Sequence, residues 1–590
     1  MRNANVLIDG VNVVVAPSYN PPPDMLQAFD QADVLYFDTE TTGLSPWTSE
    51  LALLQIYEPN SKQCLLARIG ENWKPEPWVV DLWSKGKTFA GHNIAGFDLH
   101  FLALAGVPWA KSKYFDTLIG ESIISTTNRS GVSKSLRASV KRRTGYEVDK
   151  SITHGRWRAE DLDEKQIIYG ATDVLVLPEL FAEQNDRASQ TGQTNALAME
   201  MEVMPVFTRM SLNGLPIDRG NLSLYLDQQK VNAAKAEQIL NERLGAINYN
   251  SPVQLKRALA SIGIDLESTA KDALIDIILF DPDSENAKLL KAILDWRAPA
   301  KRSAMYGSIE WQNEHIQWDD RVHARFWQVG ADTTRVSSSD PNLQQVPKDG
   351  RWIFGNVPGH KIVSVDYSQV EVRIAADICN DQDLIRLLVE DDVHRAIAAQ
   401  VFACHPADVT PKQRKLAKAM VFTLLFGGGP KRFWEYARHN GSEMEFDEAV
   451  SMFQAFFRAF QGLWNMRQKA YAICRTRNSA VITLPNGARR VLAGRSMTPS
   501  IILNTPVQGT AAVGMKLGLI EAGKKHLDIY LGAVVHDEAV ACVPDDIAEP
   551  YARAMQDCLV RGMQSVVHNC PIKAEIARNK DGSLPNVWLA

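Results

Sequence analysis

The sequence predicts a multidomain chain of mixed class, an α/β domain followed by a larger α+β region. Its 590 residues suffice for about three or four domains, each with its own core. From residue 34 to about 185, short apolar strands alternate with helical stretches, the pattern of an α/β domain. A largely helical region follows from Met199. From about Val322 the pattern turns mixed, with strand candidates at 361–365, 480–484 and 532–535 among long helices.

In chain order, residues 1–30 form an N-terminal segment ending in Pro21-Pro22-Pro23, a stiff connector. Asp218 suits the N-cap of a helix reaching about Leu244, and Ser251-Pro252 supplies the cap and first turn of another. Thr410-Pro411 opens a helix that Gly427-Gly428-Gly429 closes.

The net charge of -5 shows no basic excess, so nucleic-acid binding would have to come from local positive grooves. The 7 cysteines fall in no CxxC pair or His/Cys cluster, which argues against a zinc site or a disulfide framework. No apolar run reaches membrane-spanning length, and the start MRNANVLIDGVNVVV lacks a signal-peptide layout. An intracellular, reducing location without membrane contact is expected.

Two sets of carboxylates carry the chemistry. In VLYFDTETTGL, Asp38 and Glu40 stand two apart at the end of a buried strand, so both point to one face. Paired carboxylates repel unless a cation lies between them. Asp98, in GHNIAGFD, is a candidate third ligand, and Tyr169 and Asp173 share a helix face in YGATD. Oxygen-only ligands favour Mg²⁺ or Mn²⁺ over zinc. Two such ions roughly 4 Å apart support phosphodiester hydrolysis, with Tyr169 orienting the water.

The second set begins with Asp366 at the end of a short strand, followed by YSQVEVR. Apolar runs flank His536-Asp537-Glu538, which reads as a hairpin with acids at its tip. If the two strand ends meet, Asp366 and Asp537 can bridge two Mg²⁺ ions for transfer of a nucleotide to a primer hydroxyl. Between them Arg414, Lys418, Phe422 and Phe426 recur every four residues, a cationic then aromatic stripe suited to a nucleoside triphosphate.

Taken together, DxE, GHNIAGFD and YGATD resemble the DnaQ-like (DEDDy) 3′→5′ exonucleases. From about Glu202 to Ala590 the chain resembles the DNA polymerase I (family A) polymerases. The motifs run in family order: MSLNGLPID, NSPVQL, RVHARFWQVGADTTRVSSSDPNLQQVP, VDYSQVEVR, RKLAKAMVFTLLFGG, NTPVQGTAA and VVHDE. The resemblance implies an RNase H-like exonuclease domain at 31–190 and a right-hand polymerase domain at 191–590. Its thumb would span about 216–307, its palm about 322–380 and 480–590, and its fingers about 381–479.

The same resemblance implies roles. Asp38, Glu40, Asp98 and Asp173 would bind metal in the exonuclease, with Leu44 wedged against the terminal base. Asp366 and Asp537 would bind metal in the polymerase, with Glu538 an ancillary acid. Arg414 and Lys418 would hold the triphosphate, Lys418 also protonating the departing pyrophosphate. Phe422, Phe426 and Gln369 would line the nucleotide, and Glu371 would block a 2′-hydroxyl. Arg335, Gln508 and His536 would contact the minor groove, where acceptors are nearly the same for every base pair. Asn342, Gln344 and Asn504 would support that surface. Two Mg²⁺ per site, primer-template DNA and dNTPs follow as cofactors and partners.

There is no room for a preceding 5′ nuclease domain, so a phage- or organelle-type replicative enzyme is expected. It would be a monomer in the cytoplasm of a bacterial or phage-infected cell, or in an organelle. Helicase, single-strand binding protein and processivity factor are candidate accessory proteins. Lys134, Arg137, Lys141, Arg142 and Arg143 form either a phosphate-tracking patch or a solvated helix face. Departures from the family pattern are Phe426 for tyrosine, Thr334 for glycine, Ser500 for arginine and a short segment after Pro347. Three rival readings share these motifs: a nuclease whose second half only grips DNA, a single-subunit RNA polymerase, and a silent scaffold.

Overall fold

The computed structural model describes residues 4–125, 132–147, 157, 162–281, 283–390, 392–439, 442 and 444–589. Its first half is built on a seven-stranded sheet. The strands are β1 (Ala4–Ile8), β2 (Val11–Pro17), β3 (Val34–Thr41), β4 (Leu51–Glu58), β5 (Gln63–Arg68), β6 (Thr88–Gly91) and β7 (Lys113–Asp116). Their order across the sheet is β1-β2-β5-β4-β3-β6-β7. β3, β4 and β5 form an antiparallel meander, and β6 and β7 add in parallel beyond β3.

β4 is buried at every position, as a strand covered on both faces should be. The N-terminal segment is not a separate appendage. β1 and β2 make a hairpin, and β2 pairs in parallel with β5, extending the sheet. Helix Glu164–Leu175 packs across β3, β4 and β5. Phe37 stands edge-on to both Trp83 and Phe89 beneath β3, fixing the strand that carries Asp38.

Helix Thr194–Asn213 joins the two halves, touching β7 on one side and helix Pro499–Lys524 on the other. Beyond it, Asp218 caps helix Arg219–Leu244, accepting from the Asn221 amide at 2.7 Å. That helix lies along Glu285–Tyr306, and the pair shares a small core including Leu240, Tyr249, Leu290 and Ile293 with the short helices between them. Ser251 caps helix Pro252–Ser261 through its side chain.

The second sheet is antiparallel and four-stranded: Leu531–Val535, Glu538–Pro544, His360–Tyr367 and Ala574–Ile576, in that order. Helices Pro499–Lys524 and Ala548–Gln564 pack on each other beside it. A Cβ on Gly562 would stand 2.1 Å from the Gly518 amide nitrogen, so the two helices cross at backbone contact, which only glycine allows. A helical layer from Val393–Phe402 to Gln461–Thr476 completes the second half. No helix among the described residues is long and apolar enough to cross a membrane.

Candidate active sites

In the first half, Asp38 and Glu40 on β3 meet Asp173 on helix Glu164–Leu175, with ligand oxygens within 4.8 Å of one another. Strand alternation brings the first two to one face, and the helix crossing β3 delivers the third. A capping box fixes where that helix starts: Asp163 accepts from the Gln166 amide, and Gln166 accepts from the Asp163 amide. Tyr169 faces the same acids. Burial, then repulsion from Asp173, Glu40 and Asp38, raises its pKa, so the phenol stays a protonated donor. Oxygen is the only donor type in this cluster, which fits Mg²⁺ or Mn²⁺.

Asp98 departs from the expected fourfold set. It is 2% exposed, accepts from Thr39 Oγ1 at 2.5 Å and lies outside the cluster. The Thr39 hydroxyl, between the two acids on β3, captures it. Burial pushes its pKa up to about 7, opposed by the Thr39 hydrogen bond and reinforced by Asp116. Leu44 is 87% exposed at the mouth of a cleft of ≈ 330 Å³ between the two halves. The Trp47 and His323 rings meet across that junction, tilted by 32° with centroids 3.7 Å apart.

In the second half, Asp366 lies directly opposite Glu538 in the sheet register. The Tyr367 amide donates to the Asp537 carbonyl at 3.2 Å, seating the hairpin turn on the strand that carries Asp366. His536 takes φ +59 at the first of the two loop positions of this hairpin. Desolvation, then repulsion from Asp537 and Glu538, pushes the Asp366 pKa up to about 7. Asp366 is exposed, which leaves the neighbouring carboxylates as the dominant cause. The Asp537 pKa is also raised, by burial and then by Glu371. Such a pair gains from a cation placed between its members.

Glu538 is not poised as an ancillary acid. It is buried, and its oxygens accept from Arg351 Nη1 at 2.9 Å, Trp588 Nε1 at 2.7 Å and the Ser364 hydroxyl. Its register partner is Asp366, so it lies on the same face of the sheet as that acid, and its contacts tie it to the layer closed by the C-terminal tail. It is a strut under the site.

Arg335 Nη2 pairs with Glu371 Oε1 at 2.5 Å. With Gln344, His536 and Asp537, Arg335 lines one small cleft of ≈ 40 Å³. Gln344 donates to the Val336 and Val534 carbonyls, and Asn342 caps the short turn that carries Gln344. Asn504 and Gln508 sit one turn apart on helix Pro499–Lys524. Among the described residues, Asn504 Oδ1 and Gln369 Oε1 are buried without a hydrogen-bond partner.

Helix Pro411–Leu424 opens with a capping box between Thr410 and Gln413. It closes where Gly427, at φ +85, donates to the Leu424 carbonyl and Gly428 to that of Thr423, a Schellman closure. Phe426 therefore lies in the closing turn, and its carbonyl accepts from Ser500 Oγ at 2.6 Å. The Phe422 side chain lies outside the described residues. Arg414 is held by Asp392 at 2.8 Å, and Lys418 is exposed.

Sequence reasoning missed His394. Burial, then the charges of Lys418 and Arg414, pushes its pKa down to about 4, and among the described residues Nδ1 is buried without a partner. Its only sequence signal is a histidine at a helix start, 20 residues before Arg414. The basic helix face resolves largely as structure: Arg142 and Arg143 bind the buried Glu121, and Lys141 binds Glu147.

Comparison with known proteins places these sites in a family. Residues 221–581 match the model for DNA polymerase family A, and residues 20–186 match a 3′-5′ exonuclease model. The DNA polymerase I of Aquifex aeolicus is 26% identical over 587 residues, covering 94% of this chain and 96% of that protein. The DNA polymerase I of Chloroflexus aurantiacus is 27% identical; the match covers 98% of this chain but 66% of the relative. The solved POL domain of Pol1 from M. smegmatis, in complex with DNA primer-template and dNTP, superposes with a TM-score of 0.78 at 20% identity. That match covers 95% of this chain and 98% of the solved one, and so shows a shared fold. Nucleotide-transfer and nuclease motifs, each folded into its own carboxylate site, thus have one source: the chain belongs to DNA polymerase family A and carries a 3′-5′ exonuclease domain ahead of its polymerase region.

Proposed function

We propose that this chain extends a primer 3′-hydroxyl on template DNA with dNTPs and shortens mispaired 3′ ends in a separate site. The observation that carries the reading is the register of the second sheet, which sets Asp366 beside the Asp537 turn. Asp366 and Asp537 would hold the metal of synthesis; Asp38, Glu40 and Asp173 would hold that of shortening, with Asp98 as a further ligand. Two Mg²⁺ per site, or Mn²⁺ in their place, supply activation of the attacking oxygen and stabilisation of the leaving one.

The chain's own groups do the rest. Arg414, Lys418 and His394 converge on one surface and supply donors for a triphosphate, Lys418 protonating the departing pyrophosphate. Glu371, fixed by Arg335, excludes a 2′-hydroxyl, and Gln369, Phe422 and Phe426 bound the nucleotide. Arg335, Gln508 and His536 test minor-groove geometry, backed by Asn342, Gln344 and Asn504. Tyr169 orients the hydrolytic water. A replicative role belongs to this reading, and synthesis on a long primed single-stranded template, alone and with a processivity factor, tests it.

The deciding experiment follows a 5′-labelled primer-template with and without dNTPs. Asp38→Ala keeps synthesis and loses shortening; Asp537→Ala loses synthesis and keeps shortening. Normal elongation by Asp537→Ala would overturn the polymerase reading.

A further inference from the structure

The loop that delivers Arg335 is held from behind by an ion pair that the proposed reaction does not use. Glu200, on the joining helix Thr194–Asn213, and Lys516, on helix Pro499–Lys524, are both fully buried. Lys516 Nζ stands 2.5 Å from Glu200 Oε1 and donates to the Thr334 carbonyl at 2.9 Å. Gln328 Nε2 donates to the Glu200 carbonyl and to Glu200 Oε2, both at 2.7 Å. The pair thus grips the loop at its start, through Gln328, and at its end, through Thr334.

Two features indicate that the loop needs this grip. Thr334 takes φ +63, a region disfavoured for a β-branched residue, and its hydroxyl is buried without a partner among the described residues. The Arg335 carbonyl closes the loop by accepting from the Gly330 and Ala331 amides, each at 3.1 Å. An error in the Thr334 peptide would therefore pass directly into the direction of the Arg335 side chain. A buried ion pair contributes little net stability compared with apolar packing, and its best-attested use is to fix one geometry.

We infer that Glu200 and Lys516 are positioning residues that set Arg335, and through it Glu371, for nucleotide addition and sugar selection. The inference rests on the proposed polymerase reading, in which Arg335 and Glu371 serve that site.

The test compares four full-length proteins: wild type, Arg335→Ala, the double variant Glu200→Gln with Lys516→Met, and the triple combination. Removing both charges together leaves no lone buried ion. The double variant should lower primer-extension kcat about tenfold to a hundredfold, as a small misplacement of a site group does. Its preference for dNTP over rNTP should fall as well, while 3′ shortening stays near wild type and reports an intact fold.

Because the pair acts through Arg335, adding its removal to Arg335→Ala should change kcat by no more than about twofold. Effects that multiply, or a double variant that extends and selects sugars normally, overturn the inference. If Arg335→Ala itself extends and selects sugars normally, it is the role of Arg335 in the polymerase reading that fails, and the inference fails with it. Should the double variant lose both activities, Gln328→Leu decides, since it frees the loop and keeps the ion pair. Reduced kcat and reduced sugar selection with shortening intact support the inference, and unchanged selection overturns it.

Discussion

Replacing Glu538 by glutamine separates a strut from a catalytic acid. A glutamine side chain offers one acceptor oxygen and one amide donor. If its oxygen keeps Ser364 and Trp588, its amide faces Arg351 Nη1, donor against donor. That removes a charge-assisted hydrogen bond, about 1.5–3 kcal/mol. It also strips the anion from Arg351, whose side chain is 10% exposed; breaking such buried pairs costs about 3–5 kcal/mol in all. Arg351 keeps the Trp588 ring at 4.3 Å in both proteins, so that contact cancels in the difference. The net expectation is a loss of about 3–5 kcal/mol. Urea titration, read by the primer-extension activity that survives, measures the shift in midpoint, and kcat is taken without urea. The reasoning predicts a large midpoint shift with kcat close to wild type. A fall in kcat of about a hundredfold at an unchanged midpoint would show Glu538 acting as an acid and refute it.

Further outcomes follow from other contacts. Asp392 holds Arg414 in the free protein, so Asp392→Asn, which preserves the helix cap on the Arg395 amide, should lower the KM for dNTP at constant kcat; an unchanged or higher KM counts against competition for Arg414. His394 has a folded pKa of about 4, below its ordinary 6.5, so its contribution is complete above the higher value and is lost as pH falls toward the lower one. Between pH 7 and 5 that loss is about 2 kcal/mol, and His394→Asn should flatten the pH dependence of the urea midpoint by this amount. Gly427→Ala forces φ +85 on a residue with a Cβ that meets Leu503 at 3.3 Å. It should destabilise the closing turn by about 1–2 kcal/mol, seen as faster amide exchange there.

Much of both sites was legible because local rules act over a few residues. The Asp38/Glu40 pair follows from strand alternation, and the Tyr169/Asp173 pair from helix spacing. Capping chemistry marked the starts at Asp218, Ser251 and Thr410, and the glycines marked the end of the helix that carries Arg414. The contact that holds Asp98 apart from the other three acids was not legible, because its partner, the Thr39 hydroxyl, lies 59 residues away and carries no pattern of its own.

The amino-acid order by itself determined the local geometry of each motif, since periodicity, caps and turn preferences depend on neighbours in the chain. Tertiary structure alone decided which of those groups share a site. The register between strands His360–Tyr367 and Glu538–Pro544 sets Asp366 beside Asp537 and turns Glu538 inward to Arg351 and Trp588. Folding likewise joins the N-terminal hairpin to the first sheet and buries Glu200 against Lys516. These pairings span tens to hundreds of residues, and they are selected by burial and hydrogen-bond satisfaction in the assembled core, which no short window of sequence contains.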